Sequence, residues 1–198
     1  MFRCASGILV LAVCASNTQA AEPIAVKGST AKYPPSVSIM GGEKAVKLNL
    51  TGTGLRTKFG FGVYAVASYL EDGTAVKTAE ELMKTDSVRA IHLVMERDVQ
   101  PRDFVDAFKT AIGKNHPADK FKGEFTELLT AVGDSALKKG DHIVLVATAA
   151  TGVRIQVVGK VDVTFKNSAF ADALWEVYLG ARPLDEKLKK GLLEMLSR

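Results

Sequence analysis

The chain reads as an α+β domain built on an antiparallel sheet. Three observations predict this. Residues alternating between apolar and polar fill the first third, helical spacing of apolar residues fills the middle, and a second set of alternating runs is followed by two helical stripes. Long runs of strands separated from runs of helices favour antiparallel pairing over a parallel, doubly wound sheet.

Residues 21–36 hold Pro23, Pro34 and Pro35 and little periodicity, so they read as an extended N-terminal arm, with the folded domain spanning 37–198. From Val37 the pattern is strand-like. Val46, Leu48 and Leu50 alternate with Lys47 and Asn49, and Thr51-Gly52-Thr53-Gly54 then supplies glycines for a bulge or a sharp turn that ends the run. Phe61 to Leu70 forms a second strand, closed by Glu71-Asp72-Gly73, and pairs antiparallel with the first. Thr78-Ala79-Glu80-Glu81 opens a short helix ending near Lys84, and Ser87 to Glu96 is a strand.

Pro101 suits the first turn of a helix whose buried face carries Phe104, Val105, Phe108 and Ile112, and Gly113 with Asn115 to Pro117 breaks it. A further helix carries Phe121, Phe125, Leu128, Leu129 and Val132, and Gly133 stops it. His142 to Thr148, the alternation around Val153, Ile155 and Val157, and that of Val161, Val163 and Phe165 make a three-stranded meander. Asn167 or Ser168 caps a helix with Phe170, Leu174, Val177 and Tyr178 on its core side, and Gly180 ends it. Leu184, Leu188, Leu192 and Leu196 stripe a last helix.

Residues 1–20 read as a cleavable secretory signal peptide, with Arg3 at its start, an apolar core from Gly7 to Val13 and small residues around Thr18-Gln19-Ala20. The expected location is periplasmic or secreted. The apolar core is too short to span a bilayer, and no later stretch is long enough, so no membrane span is expected. A lipid-anchored Cys14 is disfavoured because Val13 is too large for the position before it. Both cysteines, Cys4 and Cys14, lie in this leader, which excludes disulfides and cysteine-held metals from the rest. Of the 26 basic side chains Arg3 alone lies in the leader, leaving 25 against 22 acidic ones. So small and scattered an excess argues against nucleic acid.

His92, His116 and His142 have no metal-ligand spacing, and no GxSxG elbow, phosphate loop or dinucleotide fingerprint is present, so neither metal nor cofactor is expected. What stands out is Arg56 beside the glycine pair, followed by Tyr64 and Tyr69 on a strand suited to burial. An arginine near apolar strand surface needs an anionic partner, which is either a ligand or an acidic neighbour. Tyr64 and Tyr69 are five residues apart, so they face opposite sides of a regular strand and only one readily joins Arg56.

Leu50-Thr51-Gly52-Thr53-Gly54-Leu55-Arg56 with Val63 to Glu71, and Phe170 to Trp175 with Tyr178-Leu179-Gly180 and Pro183, resemble the opening and closing signatures of the chalcone isomerase-like proteins, in an exported bacterial branch. The resemblance implies an open-faced β-sandwich, a large curved antiparallel sheet covered by helices around a cleft. It places Arg56 in that cleft, where the plant isomerases stabilise negative charge and the related fatty-acid-binding proteins hold a carboxylate. The chain departs from the isomerases at Tyr64, which stands for a threonine, and at Val177, which stands for a serine or threonine. His116 and Gly123 stand for their cleft tyrosine and asparagine.

These readings give three expectations. The first is a noncatalytic binder of a fatty acid or other amphipathic carboxylate, with Arg56, Tyr64, Tyr69 and His116 as ligand-binding candidates. The second is an intramolecular lyase acting on an enone, with Arg56 as its catalytic oxyanion stabiliser. The third is an interaction protein with a collapsed cleft and Arg56 paired to an acidic side chain. A tail-sized cavity favours the first, and a second polar group beside Arg56 the second.

Overall fold

The computed structural model describes residues 21–41, 44–133, 136–149 and 151–196, and the leader read at 1–20 lies outside them. Seven strands form one antiparallel sheet in chain order, each pairing with the next. They are β3 (Ser36–Gly41), β4 (Lys44–Lys58), β5 (Phe61–Glu71), β6 (Arg89–Met95), β7 (His142–Thr148), β8 (Gly152–Val157) and β9 (Val161–Phe165). The segment read as an extended arm carries a two-stranded ribbon, β1 (Ile24–Ala25) with β2 (Lys32–Tyr33). Helix α1 (Ala79–Lys84) links β5 to β6, and α2 (Pro101–Ile112) and α3 (Lys122–Val132) leave and return between the paired strands β6 and β7. Helices α4 (Ser168–Leu179) and α5 (Glu186–Leu192) close the chain.

The period of two assigns each strand residue to a face. Val66, Leu93 and Ile143 point to the helices and share one core with Phe170, Trp175 and Tyr178 of α4, all three of which are fully buried. Ala65, Ala67 and Tyr69 point the other way and join Leu48, Leu50 and Tyr33 in a second, smaller core. That core is roofed by the ribbon, whose Val26, Ala31 and Tyr33 are buried. Helices over one face and only a short ribbon over the other make this an open-faced sandwich.

Strand β4 does not end at the glycines. It bulges at Thr51, between the Leu50↔Tyr69 and Gly52↔Ser68 pairs, and continues to Lys58. The reason lies in α5, which sits directly on this stretch. A Cβ on Gly52 would meet the Gly191 carbonyl oxygen at 2.1 Å, and one on Gly191 would meet that of Thr53 at 2.4 Å. Thr51 faces the helix, where its hydroxyl lies 2.9 Å from the Leu192 carbonyl and 3.1 Å from that of Ser68, and the bulge keeps Gly52 on the same face. Met195 N–H donates back to the Thr51 carbonyl at 2.9 Å.

The last helix is shorter than its leucine stripe suggests. Asp185 caps it, accepting from the Lys187 and Leu188 N–H groups at 2.9 and 3.1 Å, so Leu184 precedes the helix and Leu196 lies in the turn after it. On the helical face of β6, buried Arg89 reaches Asp172 of α4 at 2.6 Å and lies over the Trp175 ring. It thereby ties α4 to the sheet centre.

Gly191→Ala tests the contact between α5 and β4. Helix propensity alone would stabilise the variant by about 1 kcal/mol, but the Thr53 carbonyl is backbone and cannot move aside, so overpacking costs about 1–3 kcal/mol. A lower Tm is expected in thermal unfolding. Gly123→Ala in α3, where nothing lies within 4 Å of the new Cβ, should raise it.

Candidate ligand-binding cleft

Helix α5 covers β4 and α4 crosses toward β8, while α2 packs mainly against α3 and α4. This arrangement leaves the ends of β4, β5 and β6 uncovered on their helical face. A cleft of about 770 Å³ opens there, within the size range of small-molecule sites. Its inner walls are apolar, with Val63 and Met95 from the sheet, Phe104 and Phe108 from α2, and Val177 and Leu184 from the closing segment, while charged side chains such as Lys58, Arg97, Asp103 and Asp106 stand at its rim. Of the apolar side chains that line the cleft, Met95, Phe104, Phe108 and Val177 are themselves buried, 1–6% exposed.

On the floor of the cleft the polar groups lie close together. Arg56 and Tyr64 are cross-strand partners on its floor. Tyr178 of α4 directs its hydroxyl to the Tyr64 oxygen at 3.4 Å. Tyr64 thus accepts from Tyr178, and its own proton has no acceptor among the described residues. Burial pushes the Tyr64 phenol up to about 12, against the smaller lowering effects of the Tyr178 hydrogen bond and of Arg56. Burial first, then the neighbouring Tyr64, raises Tyr178 well above the ordinary phenol range. Both are neutral donors at physiological pH, and neither is a base.

Arg56 is paired with Asp185, Nη1 to Oδ2 at 3.2 Å, with the two side chains 23% and 28% exposed. This is a single contact on a group with five N–H donors. The remaining guanidinium N–H groups have no partner among the described residues. Asp185 divides its labour, one oxygen capping α5 and the other meeting Arg56.

Of the four candidates read from the sequence, the structure brings together Arg56 and Tyr64. Tyr69 lies on the opposite face, where its hydroxyl donates to the Pro34 carbonyl at 3.0 Å. The strand period separates it from Tyr64, and the ribbon covers it. His116 sits between α2 and α3 outside the cleft lining, 2.7 Å from Glu176 and 3.1 Å from Lys120. Gly123 is on α3 with nothing near its Cα side and also lies outside the lining. Among the described residues no group of three or more His, Cys, Asp or Glu side chains converges as a metal site would require. No helix there is long and apolar enough to cross a membrane.

Two residues at the site escaped the sequence reading. Tyr178 was legible only as one more core position of α4, since its spacing from Leu174 is helical. Asp185 carried a usable signal, an Asp three residues ahead of Leu188 at the start of a helix, but that marks a cap and not an arginine partner.

Among solved structures, the crystal structure of a fatty-acid binding protein from Arabidopsis thaliana superposes with a TM-score of 0.69 at 17% identity, covering 89% of this chain and 98% of that one. At that identity the likeness is one of fold. No curated protein matches the chain. The family described as chalcone isomerase-like matches residues 25–194, from the ribbon through the whole sheet to the turn after α5. The chain therefore belongs to the chalcone isomerase-like family.

Proposed function

We propose that this protein is an exported, noncatalytic binder of an amphipathic carboxylate such as a fatty acid. The observation that carries the reading is a pair of donors, the guanidinium N–H groups of Arg56 that Asp185 does not take and the O–H of Tyr64, on neighbouring strands at the floor of a cleft whose inner walls are apolar and whose rim is charged. A carboxylate has two oxygens for two such donors, and a hydrocarbon tail has the walls formed by Phe104, Phe108 and Val177. The fold likeness to a protein described as a fatty-acid binder supports the same reading.

The enone-lyase alternative shares the anion site but needs a group to move a proton. Tyr64 is held neutral, so it can give a proton but not take one, and His116 lies outside the cleft lining. The acids that line the cleft, Asp98, Asp103 and Asp106, are all exposed, and Asp98 is bound to Lys138. Binding without turnover is the simpler outcome of this chemistry.

Native mass spectrometry of the purified protein, with titration of a fluorescent fatty acid, tests the reading. Arg56→Met should weaken binding by about thirtyfold or more, since it removes a charge-assisted contact in a partly desolvated site. Wild-type affinity for long-chain carboxylates no better than for the corresponding alcohols would overturn it.

Asp185→Asn gives the opposite sign. Asparagine still caps α5, but Arg56 loses its competing anion and the ligand loses a like-charged neighbour, so affinity should rise by about three- to tenfold. An unchanged affinity would make Arg56 a brace for α5. The pH profile adds a third check. A carboxylate ligand is ionised above about pH 5 and Tyr64 keeps its proton until about 12, so affinity should stay flat across neutral pH, fall in acid as the ligand protonates, and fall again in strong alkali. An inflection near neutrality would mean that another group holds the anion.

A further inference from the structure

The turn between β4 and β5 departs from what a two-residue hairpin ordinarily contains. Lys58 pairs with Phe61, so Phe59-Gly60 is the whole loop. Both residues have positive φ, 54° and 81°, and Phe59 is the one non-glycine residue with positive φ among the described residues. Such a loop favours Asn-Gly or Asp-Gly, because a bulky side chain is disfavoured in the left-handed region. A phenylalanine here is 88% exposed, and Phe61 beside it is 70% exposed. The placement therefore opposes both local conformation and solubility, and nothing in the core is gained by it.

The position of this tip gives it a use. Arg56, on the floor of the cleft, is three residues from Phe59, about 10 Å along an extended strand. Lys58 lines the same cleft and lies under the Phe59 ring, 5.6 Å from its centre. Arg97, also on the rim, comes from the adjoining end of β6. Of the acids close to this rim in sequence, Asp98 is engaged by Lys138 and the Lys139 N–H and Glu96 by Ser29, while Asp103 and Asp106 stand exposed across the cleft on α2. The strand register places a third exposed apolar residue, Val158 in the β8–β9 turn, at this same end of the sheet.

We propose that the β4–β5 tip is a membrane-docking wedge, with Phe59 and Phe61 entering the headgroup–acyl boundary of an anionic lipid surface while Lys58 and Arg97 meet its phosphates. Aromatic rings flanked by cations suit that boundary, and each cation near an anionic surface adds to the attraction. A protein partner fits the tip less well. Two phenylalanines bury roughly 300–500 Å² between them, well short of the roughly 800 Å² per partner of a stable interface. A bilayer needs no matching pocket. Docked in this way, the mouth of the cleft would face the membrane and an amphipathic ligand could pass between them without crossing water. That last step rests on the carboxylate-binding reading, but the docking does not.

Co-sedimentation of the purified protein with phosphatidylcholine vesicles, with and without about a third phosphatidylglycerol, tests the wedge. Binding is expected on the anionic vesicles. Phe59→Asn with Phe61→Thr should reduce it by more than about tenfold. Asparagine suits the left-handed position and threonine suits a strand, so an unchanged or higher Tm excludes misfolding as the cause. Arg56→Met should bind vesicles like the wild type while losing fatty acid, and the double variant should show the reverse. This crossed result separates a failure of the wedge from a failure of the carboxylate site. A wild type that ignores anionic vesicles, or a double variant that binds them equally well, would overturn the wedge. So would a wild type whose self-association, and not vesicle binding, is lost in the double variant.

Discussion

Much of this structure depends on one close backbone approach, that of α5 onto β4 with no side chain between them. Gly52 and Gly191 leave the space, and the Thr51 hydroxyl meets the Leu192 carbonyl while its own carbonyl accepts from the Met195 N–H. Without the bulge, the alternation established by Leu48 and Leu50 would carry on unchanged, and Arg56 would face the ribbon instead of the cleft. The glycine stretch is thus a register device as much as a packing surface. It also brings the N-terminal cap of α5, Asp185, to within reach of Arg56.

The cleft follows from what the other helices leave uncovered. Because α2 leans on α3 and α4, the ends of β4 to β6 keep an apolar wall with a small polar floor. The Arg56–Asp185 pair on that floor is about a quarter exposed and makes a single contact, which leaves other guanidinium N–H groups for a second anion. Arg89 shows the contrast. It is buried, held at 2.6 Å by Asp172 and stacked on Trp175, which are the marks of an arginine that braces the fold.

The sheet uses its two faces differently, and the two tyrosines of β5 show how. Tyr64 is buried under α4 and shares a hydroxyl contact with Tyr178. Tyr69 is buried under the ribbon and bonded to Pro34. Their separation in sequence announces opposite faces, but which face carries the cleft depends on where the helices pack. The ribbon itself was not legible, because two-residue strands leave too little alternation to read. The continuation of β4 past Gly54 was not legible either, since glycines that admit a helix backbone look the same in sequence as glycines that end a strand.

What the sequence determined by itself was local and periodic. It specified strands from alternation, helices from the spacing of Phe104, Phe108 and Leu128, a cap at Asn167 or Ser168 that the structure places at Asn167, and the pairing of neighbours in a meander. Motifs at both ends, Gly52 to Arg56 and Phe170 to Gly180, resembled one family, and the match over residues 25–194 rests on the same chain order. What only the tertiary structure decided was convergence: Asp185 lies 129 positions from Arg56 and Tyr178 lies 114 from Tyr64. No periodicity within a segment reports on contacts between segments so far apart. They are set by how α4 and α5 pack on the sheet, which is a property of shape and not of spacing.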